Sequence, residues 1–406
     1  MECFTRTLRN GIRIVHAQVT APVAHIGFFV QTGSRDETDR EAGMAHFAEH
    51  IFFKHTHKRN TYQIISRMED VGGDINAYTT KEETCLHASF MMMHYERALE
   101  LVADLVFNRY FRAQDVEKEK EVVIDEINSY RDVPSENIFD DFDAQLFGTH
   151  PLAHPILGRA ADIRRITAER MEQFVSGHYF TDRMVIASVG AVSFERLVKW
   201  CEKYFGSIPA HPTGNLLRPP VDYVPENREI RKRIHQGHCC LGAPGYDYYH
   251  PRRLVLALLC NLLGGPGMNT RLNLALREHQ GLSYTAEAAY TPYTDTGVAS
   301  VYFSAEKSNL DQCIGIVRKE LEKICTTRLG TMQLHRARRQ LIGQMAISAD
   351  SHENLMLGIG KNYMIFNKVE PLAEVCLRID RITASELLET ANEIWAPERL
   401  TMLTYR

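Results

Sequence analysis

The chain has 406 residues, of which 44% are hydrophobic and 24% are charged. This composition is typical of a globular protein and excludes a disordered or fibrous one. Its formal net charge of −4 at pH 7 argues against the broad basic surface that nucleic-acid-binding proteins use. We therefore expect no nucleic acid among its partners, and the length predicts two or more domains.

The nine cysteines are odd in number, scattered along the chain, and form no Cys-x-x-Cys pair. This pattern argues against a disulfide framework or a cysteine-based zinc site and favours a reducing compartment. The N-terminus shows no apolar segment typical of a signal peptide. No apolar run approaches the roughly 20 residues of a transmembrane helix. The sequence therefore predicts a cytoplasmic protein without a membrane partner.

The apolar periodicity of the first half predicts a mixture of strands and helices. A hairpin is expected around Asn10-Gly11, a strong turn dipeptide. In chain order the predicted elements are strands at 3–8, 12–19 and 23–32, helices at 40–54 and 61–71, strands at 74–80 and 83–92, helices at 94–107, 116–128, 135–147 and 167–177, a strand at 184–190 and a helix at 193–205.

Five prolines between 207 and 227 give the strongest linker signal in the chain. Beyond the linker, the order of elements repeats. The predicted elements of this second half are a strand ending near 245, helices at 251–263 and 269–279, strands at 283–291 and 297–304, helices at 308–326, 331–348, 352–366, 371–379 and 384–394, and a strand at 399–405. We predict an α+β fold of two duplicated units, mainly antiparallel sheets with helices packed on them, with domains at 1–206 and 228–406 and a linker at 207–227.

The stretch at 43–53, GMAHFAEHIFF, carries the most specific chemical signal. On a helix, His46 and His50 lie one turn apart on one face, and Glu49 lies beside them. Two imidazoles so placed can hold one Zn²⁺. The order His-x-x-Glu-His is that of the inverzincin zinc peptidases. The same residues also occur by chance on amphipathic helices, so the motif alone leaves both interpretations open.

The predicted helix at 116–128 carries two acids seven residues apart, Glu119 and Glu126. That spacing is almost two full turns and puts both on one face. A solvated face is the ordinary explanation for such a charge run. It suits Glu117 and Glu121, which have lysines at close spacing.

Together these features resemble the pitrilysin, insulin-degrading enzyme and mitochondrial processing peptidase family of zinc peptidases, and in particular its small bacterial two-domain members. The stretch 43–54 resembles the family's zinc helix, and GGDINAYT at 72–79 resembles the strand that follows it. The family's third ligand is a Glu about 76 residues after the second His, which here is Glu126, and a second acid seven residues earlier is Glu119. The resemblance covers nearly the whole chain. It implies one Zn²⁺ per chain, held by the two histidines and Glu126.

Three protein ligands leave an open position for water, which is the layout of a catalytic site. Glu49 would act as the general base on the zinc-bound water and then protonate the leaving amine. Glu119 would orient a ligand histidine. Arg277 and Tyr284 resemble the family's Arg and Tyr that meet the substrate from the other half of the molecule; Arg277 could hold a substrate carbonyl and Tyr284 could stabilise the oxyanion. Without the resemblance, they would be an arginine on a helix and a tyrosine packed in a strand.

Family enzymes close two halves of two domains each around a chamber, so the resemblance implies that this chain supplies one half of a clam-shell. A homodimer is then expected, with Arg277 and Tyr284 acting in trans. Asn76, Ala77 and Tyr78 would lie on an edge strand that binds a peptide as an additional strand. The expected function is a zinc endopeptidase acting on peptides or unfolded segments inside the chamber.

Two other classes of function remain. A non-catalytic or partner-dependent scaffold subunit of the same fold would usually have a broken zinc motif or lack the Arg/Tyr pair, and here both sets are intact. A metal-storage protein is disfavoured by the single compact site. His55, where the family often has Gly, and His57 are expected to be loop residues and not ligands.

Overall fold

Two β-sheets organise the computed structural model, which describes residues 2–214 and 218–406. Among these residues, none of the helices has both the length and the hydropathy that crossing a membrane requires. The first sheet has the order β1-β2-β6-β3-β5-β4. Its strands are β1 (Cys3–Thr7), β2 (Arg13–Gln18), β3 (Val23–Val30), β4 (Asp74–Thr79), β5 (Thr84–Met91) and β6 (Met184–Gly190).

Eight α-helices of the described chain precede the linker. They are α1 (Met44–Phe52), α2 (Thr61–Glu69), α3 (Tyr95–Phe107), α4 (Ala113–Arg131), α5 (Pro134–Phe147), α6 (Ala160–Ile163), α7 (Ala168–His178) and α8 (Phe194–Phe205). The predicted elements of this half are all present. Residues 215–217 of the predicted linker lie outside the described residues.

The second sheet has the order β7-β11-β8-β10-β9. After the linker the elements are β7 (Asn227–Ile230), β8 (Gln236–Gly245), α9 (Arg253–Gly264), α10 (Arg271–Asn273), β9 (Thr285–Pro292), β10 (Gly297–Glu306), α11 (Leu310–Thr326), α12 (Thr331–Asp350), α13 (His352–Phe366), α14 (Leu372–Arg381), α15 (Ala384–Ile394) and β11 (Thr401–Tyr405).

The two sheets repeat one topology, which confirms the predicted α+β fold with duplicated units. In the first, β2 is parallel to β6, and β6, β3, β5 and β4 follow as antiparallel neighbours. In the second, β7 is parallel to β11, and β11, β8, β10 and β9 follow in the same way. Strand order and strand direction therefore correspond from β2-β6-β3-β5-β4 to β7-β11-β8-β10-β9.

Packing divides the chain into two compact units, each built from three segments. One comprises Met1–Asn128, His154–Leu217 and Ile347–Pro371; the other comprises Ser129–Ala153, Arg218–Ala346 and Leu372–Arg406. The first unit thus includes α13 from the second repeat, and the second unit includes α5 from the first. The domains predicted at 1–206 and 228–406 do not coincide with these units, because the segments that carry α5 and α13 are exchanged between them. Apolar periodicity shows that a helix is buried on one side, but it does not show which sheet buries it.

Strand alternation gives the first sheet two apolar faces. On one face, Ile26, Phe28 and Leu86 belong to the core that includes α1 and α3. On the other, Phe29 packs with Met356 of α13. The face toward α1 is the one that carries the candidate site.

Replacement of Gly360 on α13 tests this packing. An added Cβ there would come 2.2 Å from the Phe29 ring, whereas one at Gly358 on the same helix would meet nothing within 4 Å. We expect Gly360→Ala to lower the free energy of unfolding by about 1–3 kcal/mol through overpacking. Gly358→Ala should instead leave it unchanged or raise it by up to ~1 kcal/mol through helix propensity. Urea unfolding of both variants checks the pair, and equal stabilities would contradict close packing of α13 on the sheet.

Candidate metal centre

The N-terminus of α1 is held from outside the helix. Gly43 adopts a left-handed conformation (φ +84°), and an added Cβ would come 2.9 Å from the carbonyl oxygen of Leu157. The helix therefore begins at Met44, four residues later than predicted. The buried Glu37 carboxylate accepts hydrogen bonds from the N–H groups of Gly43 (2.9 Å) and Ala45 (2.7 Å). These donors have no partner within a helix, so Glu37 caps the helix that carries the candidate ligands.

His46, His50 and Glu126 form one compact group. Each offers a ligand atom, and the three atoms lie within 4.8 Å of one another. Nε2 of His46 is 3.7 Å from Oε1 of Glu126, and Nε2 of His50 is 3.3 Å from Oε2. Among residues 2–214 and 218–406, no other group of three His, Cys, Asp or Glu has this geometry. Two imidazole nitrogens and one carboxylate are a donor set that fits Zn²⁺.

The protonation of the two histidines differs. Burial and the charge of His50 lower the pKa of His46 to about 3, so His46 is neutral, as a metal ligand must be. Its Nδ1 is buried and makes no hydrogen bond in the described structure. For His50, burial lowers the pKa, but the hydrogen bond to Glu119 and the nearby carboxylates outweigh it, and the pKa is raised.

Glu119 is a buried carboxylate with two partners. Its Oε1 accepts a hydrogen bond from Nδ1 of His50 (3.0 Å), and its Oε2 lies 2.6 Å from Nζ of Lys54. Burial alone would raise the pKa of Glu119, but these two contacts lower it. The ionised carboxylate fixes the His50 ring with Nε2 toward Glu126. Helix α4 begins at Ala113, three residues earlier than predicted, and Asp115 lies in its first turn.

Glu49 lies next to this group and contacts the first sheet. Its Oε2 accepts a hydrogen bond of 2.6 Å from the hydroxyl of Thr79 at the end of β4. Burial raises the pKa of Glu49, although Thr79 and His50 oppose the shift. Thr79 was not among the site residues predicted from the sequence. Strand alternation could have found it, because Ile75 and Ala77 point to the α1 side and residue 79 follows in the same phase.

Comparison with known proteins identifies the family. Residues 13–160 match the family model described as Insulinase (Peptidase family M16), and residues 165–341 match the one described as Peptidase M16 inactive domain. The uncharacterized zinc protease YmxG of Bacillus subtilis is 31% identical over 97% of this chain and 95% of that protein. The chain belongs to the M16 peptidase family. The resemblance to the insulinase and processing peptidase family is thereby confirmed.

Other known proteins match nearly the whole chain in sequence or in fold. An uncharacterized zinc protease of Rickettsia felis is 30% identical over 96% of this chain and 94% of its own length. A probable mitochondrial-processing peptidase subunit beta of Arabidopsis thaliana is 30% identical over 95% of this chain and 75% of that protein. A solved protease from Helicobacter pylori superposes with a TM-score of 0.90 at 20% identity, covering 100% of this chain and 99% of the other. At that identity, the last comparison shows the fold alone.

The strand that family resemblance assigns to substrate, β4, is an edge of the first sheet. Asn76 and Tyr78 alternate with Ala77, so their side chains point away from the α1 face. Tyr78 packs on the α13 side, and its hydroxyl donates to Glu83 (3.1 Å). A peptide that paired with β4 would therefore meet mainly backbone groups of these three residues.

Arg277 and Tyr284 belong to the second unit. The helix predicted at 269–279 is only partly α-helical: α10 ends at Asn273, and Arg277 lies in a π-helical segment, Leu274–Glu278. Tyr284 precedes β9 and is 82% exposed. The alternative of a tyrosine packed in a strand is therefore wrong. The action of both residues in trans stays a prediction.

His55 and His57 lie in the loop after α1, and neither belongs to the group of candidate ligands. Nδ1 of His55 is 2.7 Å from Oδ2 of Asp115, and Arg112 donates to its Nε2 (2.9 Å). His57 instead stacks on Tyr110, with ring centroids 5.1 Å apart. His55 thus connects the loop after α1 to the beginning of α4.

Replacement of Glu126 tests the ligand set. We expect Glu126→Gln to lose most of its bound zinc, because a neutral amide replaces the anionic ligand. Metal content after dialysis, measured by mass spectrometry, checks this. Glu121→Gln on the same helix is the control, since Glu121 is exposed and outside the group. Full zinc occupancy in Glu126→Gln would place the third ligand elsewhere.

Replacement of Glu119 tests the support of His50. Glu119→Gln should weaken zinc binding by roughly 10- to 100-fold, the usual effect of removing a partner that orients a ligand histidine. Competition with a chromogenic chelator measures the affinity. Glu117→Gln is a matched control, because Glu117 is exposed on α4 and pairs with Lys120. An unchanged affinity in Glu119→Gln would show that His50 is oriented without it.

Proposed function

We propose that this M16 chain is an active zinc endopeptidase that hydrolyses peptides or unfolded polypeptide segments, with one Zn²⁺ held by His46, His50 and Glu126. The observation that carries the proposal is the convergence of these three ligand atoms within 4.8 Å beside the Glu49 carboxylate. The names of the bacterial relatives, which are uncharacterized zinc proteases, support zinc as the metal. The fit of the donor set to zinc adds to this support.

When bound, a zinc ion would act as a Lewis acid that polarises a carbonyl and lowers the pKa of water to near neutrality. Glu49 takes a proton from the attacking water and returns it to the leaving amine. Glu119 keeps the proton of His50 on Nδ1, so that Nε2 presents its lone pair. Lys54 compensates the charge of the buried Glu119.

The substrate is an extended peptide that pairs with edge strand β4. In such pairing the affinity comes from main-chain hydrogen bonds, which depend little on the side chains of the peptide. We therefore infer a loose sequence preference. Folded proteins are poor substrates, because the backbone groups of their strands are already paired and cannot pair with β4.

The active form is a homodimer in which Arg277 and Tyr284 of one chain serve the site of the other. The exposure of the Tyr284 side chain, 82%, supports this, because it is available to an incoming chain or substrate. A cytoplasmic location is supported by the cysteines, all nine of which are free and seven of which are buried.

The second candidate is a non-catalytic or partner-dependent subunit of the same fold. We retain this candidate because the family model that matches residues 165–341 is described as an inactive domain. The family model that matches residues 13–160 is not described as inactive. The two candidates differ in whether the purified chain alone cleaves peptides.

Peptide hydrolysis decides between them. The purified chain should cleave a mixture of unstructured peptides, and 1,10-phenanthroline should abolish cleavage. Glu49→Gln should keep its zinc and lose about 10²- to 10⁴-fold in rate, because it removes the general base. Glu69→Gln, at an exposed position on α2, is the control. Cleavage that survives the chelator would exclude the metal mechanism, and absence of cleavage with zinc bound would favour the subunit without catalysis.

Mixing of inactive variants tests action in trans. Glu49→Gln and Tyr284→Phe should each be impaired as homodimers. A mixture that exchanges subunits should recover part of the activity, because one site then combines an intact Glu49 with the Tyr284 of the other chain. Glu49→Gln mixed with Glu126→Gln is the control. It should not recover activity, because in the mixed dimer one site lacks Glu49 and the other lacks Glu126. Absence of recovery in the first mixture would contradict the arrangement in trans.

A further inference from the structure

The C-terminal end of β4 is anchored to the segment that precedes α1. The N–H of Ser34 donates to the carbonyl of Thr80 (3.2 Å), and the N–H of Arg35 donates to the carbonyl of Lys81 (2.9 Å). The side chain of Arg35 is fully buried and forms an ion pair with Glu82 in the same turn. The turn after β4 is therefore fixed by both backbone and side-chain contacts.

This anchor has a steric requirement at Gly33. An added Cβ would come 2.3 Å from the carbonyl oxygen of Thr80. The segment at Gly33 and the turn after β4 thus approach each other so closely that a residue with a side chain does not fit at position 33. A side chain at position 33 would therefore displace the turn that follows β4.

Thr79 is the last residue of the anchored strand. Its partner in the ladder is Thr84 of β5, and strand alternation directs its side chain to the α1 face. There its hydroxyl donates to Oε2 of Glu49 at 2.6 Å. In the part of the chain that the structure describes, no other hydrogen bond to the Glu49 carboxylate is present. One carboxylate oxygen is thus held by the strand, and Oε1 is left for another partner.

We propose that Thr79 is a positioning residue that holds the Glu49 carboxylate in its working orientation and couples it to edge strand β4. The proposal rests on the proposed peptidase function. Glu49 is carried by α1, and Thr79 by the strand that pairs with the peptide, so their hydrogen bond connects the base to the substrate-binding backbone. A peptide bound along β4 is then in register with the group that activates water.

The role requires a hydroxyl and little else. Valine has nearly the same shape as threonine and suits a strand, so Thr79→Val removes the donor with small effect on folding. It leaves a half-buried carboxylate oxygen without its partner, and Glu49 is then free to rotate. Serine keeps the donor, so Thr79→Ser is the conservative control.

The experiment compares wild type, Thr79→Val and Thr79→Ser on one peptide from the mixture. We expect Thr79→Val to lose roughly 10- to 100-fold in kcat, the equivalent of one hydrogen bond to a charged group. KM, zinc content and the thermal midpoint should stay unchanged, and Thr79→Ser should restore most of kcat. Affinity for a fluorescent peptide, measured in the Glu49→Gln background with and without Thr79→Val, gives a readout independent of turnover and should also be unchanged.

The outcomes separate this inference from the function on which it rests. If the zinc-loaded wild type does not cleave, the proposed function fails. If the wild type cleaves and Thr79→Val has the same kcat, the positioning role is wrong and the peptidase assignment stands. Loss of zinc or of peptide affinity in Thr79→Val, or a Thr79→Ser variant as slow as Thr79→Val, would likewise overturn the role, because Thr79 would then support the structure and not the base.

Discussion

The candidate site depends on the contact between α1 and α4, two helices whose interacting residues are about 70 positions apart in the chain. Three acids along α4, at 115, 119 and 126, each meet a partner on α1 or in the loop after it. Glu119 is the most buried of them, with a side chain 5% exposed. A buried carboxylate is costly unless it is fully paired, so His50 and Lys54 must both be in place. The same contacts that stabilise the helix pair therefore orient a candidate ligand.

The two repeats share a scaffold but differ in the residues that their corresponding helices carry. Helix α9 corresponds in the second repeat to α1 in the first, because α9 lies between β8 and β9 in the chain and α1 lies between β3 and β4. Its sequence, RLVLALLCNLLG, contains no histidine and no acid. The two sheets share their strand order and directions, yet the group of candidate ligands lies on one repeat alone. Function here belongs to a few side chains placed on a repeated frame.

The sequence was sufficient for features that depend on local periodicity. All strands except β7, most helix bounds, and the positions of His46, Glu49 and His50 on one helix face follow from residue spacing. Glu126 needed the family's ligand spacing, because two helices far apart in the chain must meet to complete the group. The exchange of α5 and α13 between the units was not accessible, since a buried helix face does not specify its partner. Thr79 was missed for a related reason: its hydrogen bond to Glu49 joins a strand and a helix, and only the phase of the strand pointed to it.

The gradient of exposure across the group argues for catalysis over storage. The side chains of His46, His50 and Glu126 are 8%, 22% and 44% exposed, so the site is closed behind His46 and open toward solvent at Glu126. The described residues offer three ligands, and a structural zinc site closes its tetrahedron with a fourth. A zinc ion held by these three residues would keep a coordination position available to water or a substrate carbonyl. Glu49 lies beside the group and accepts a hydrogen bond from Thr79 of β4, so the proposed base and the proposed peptide-binding strand are in direct contact.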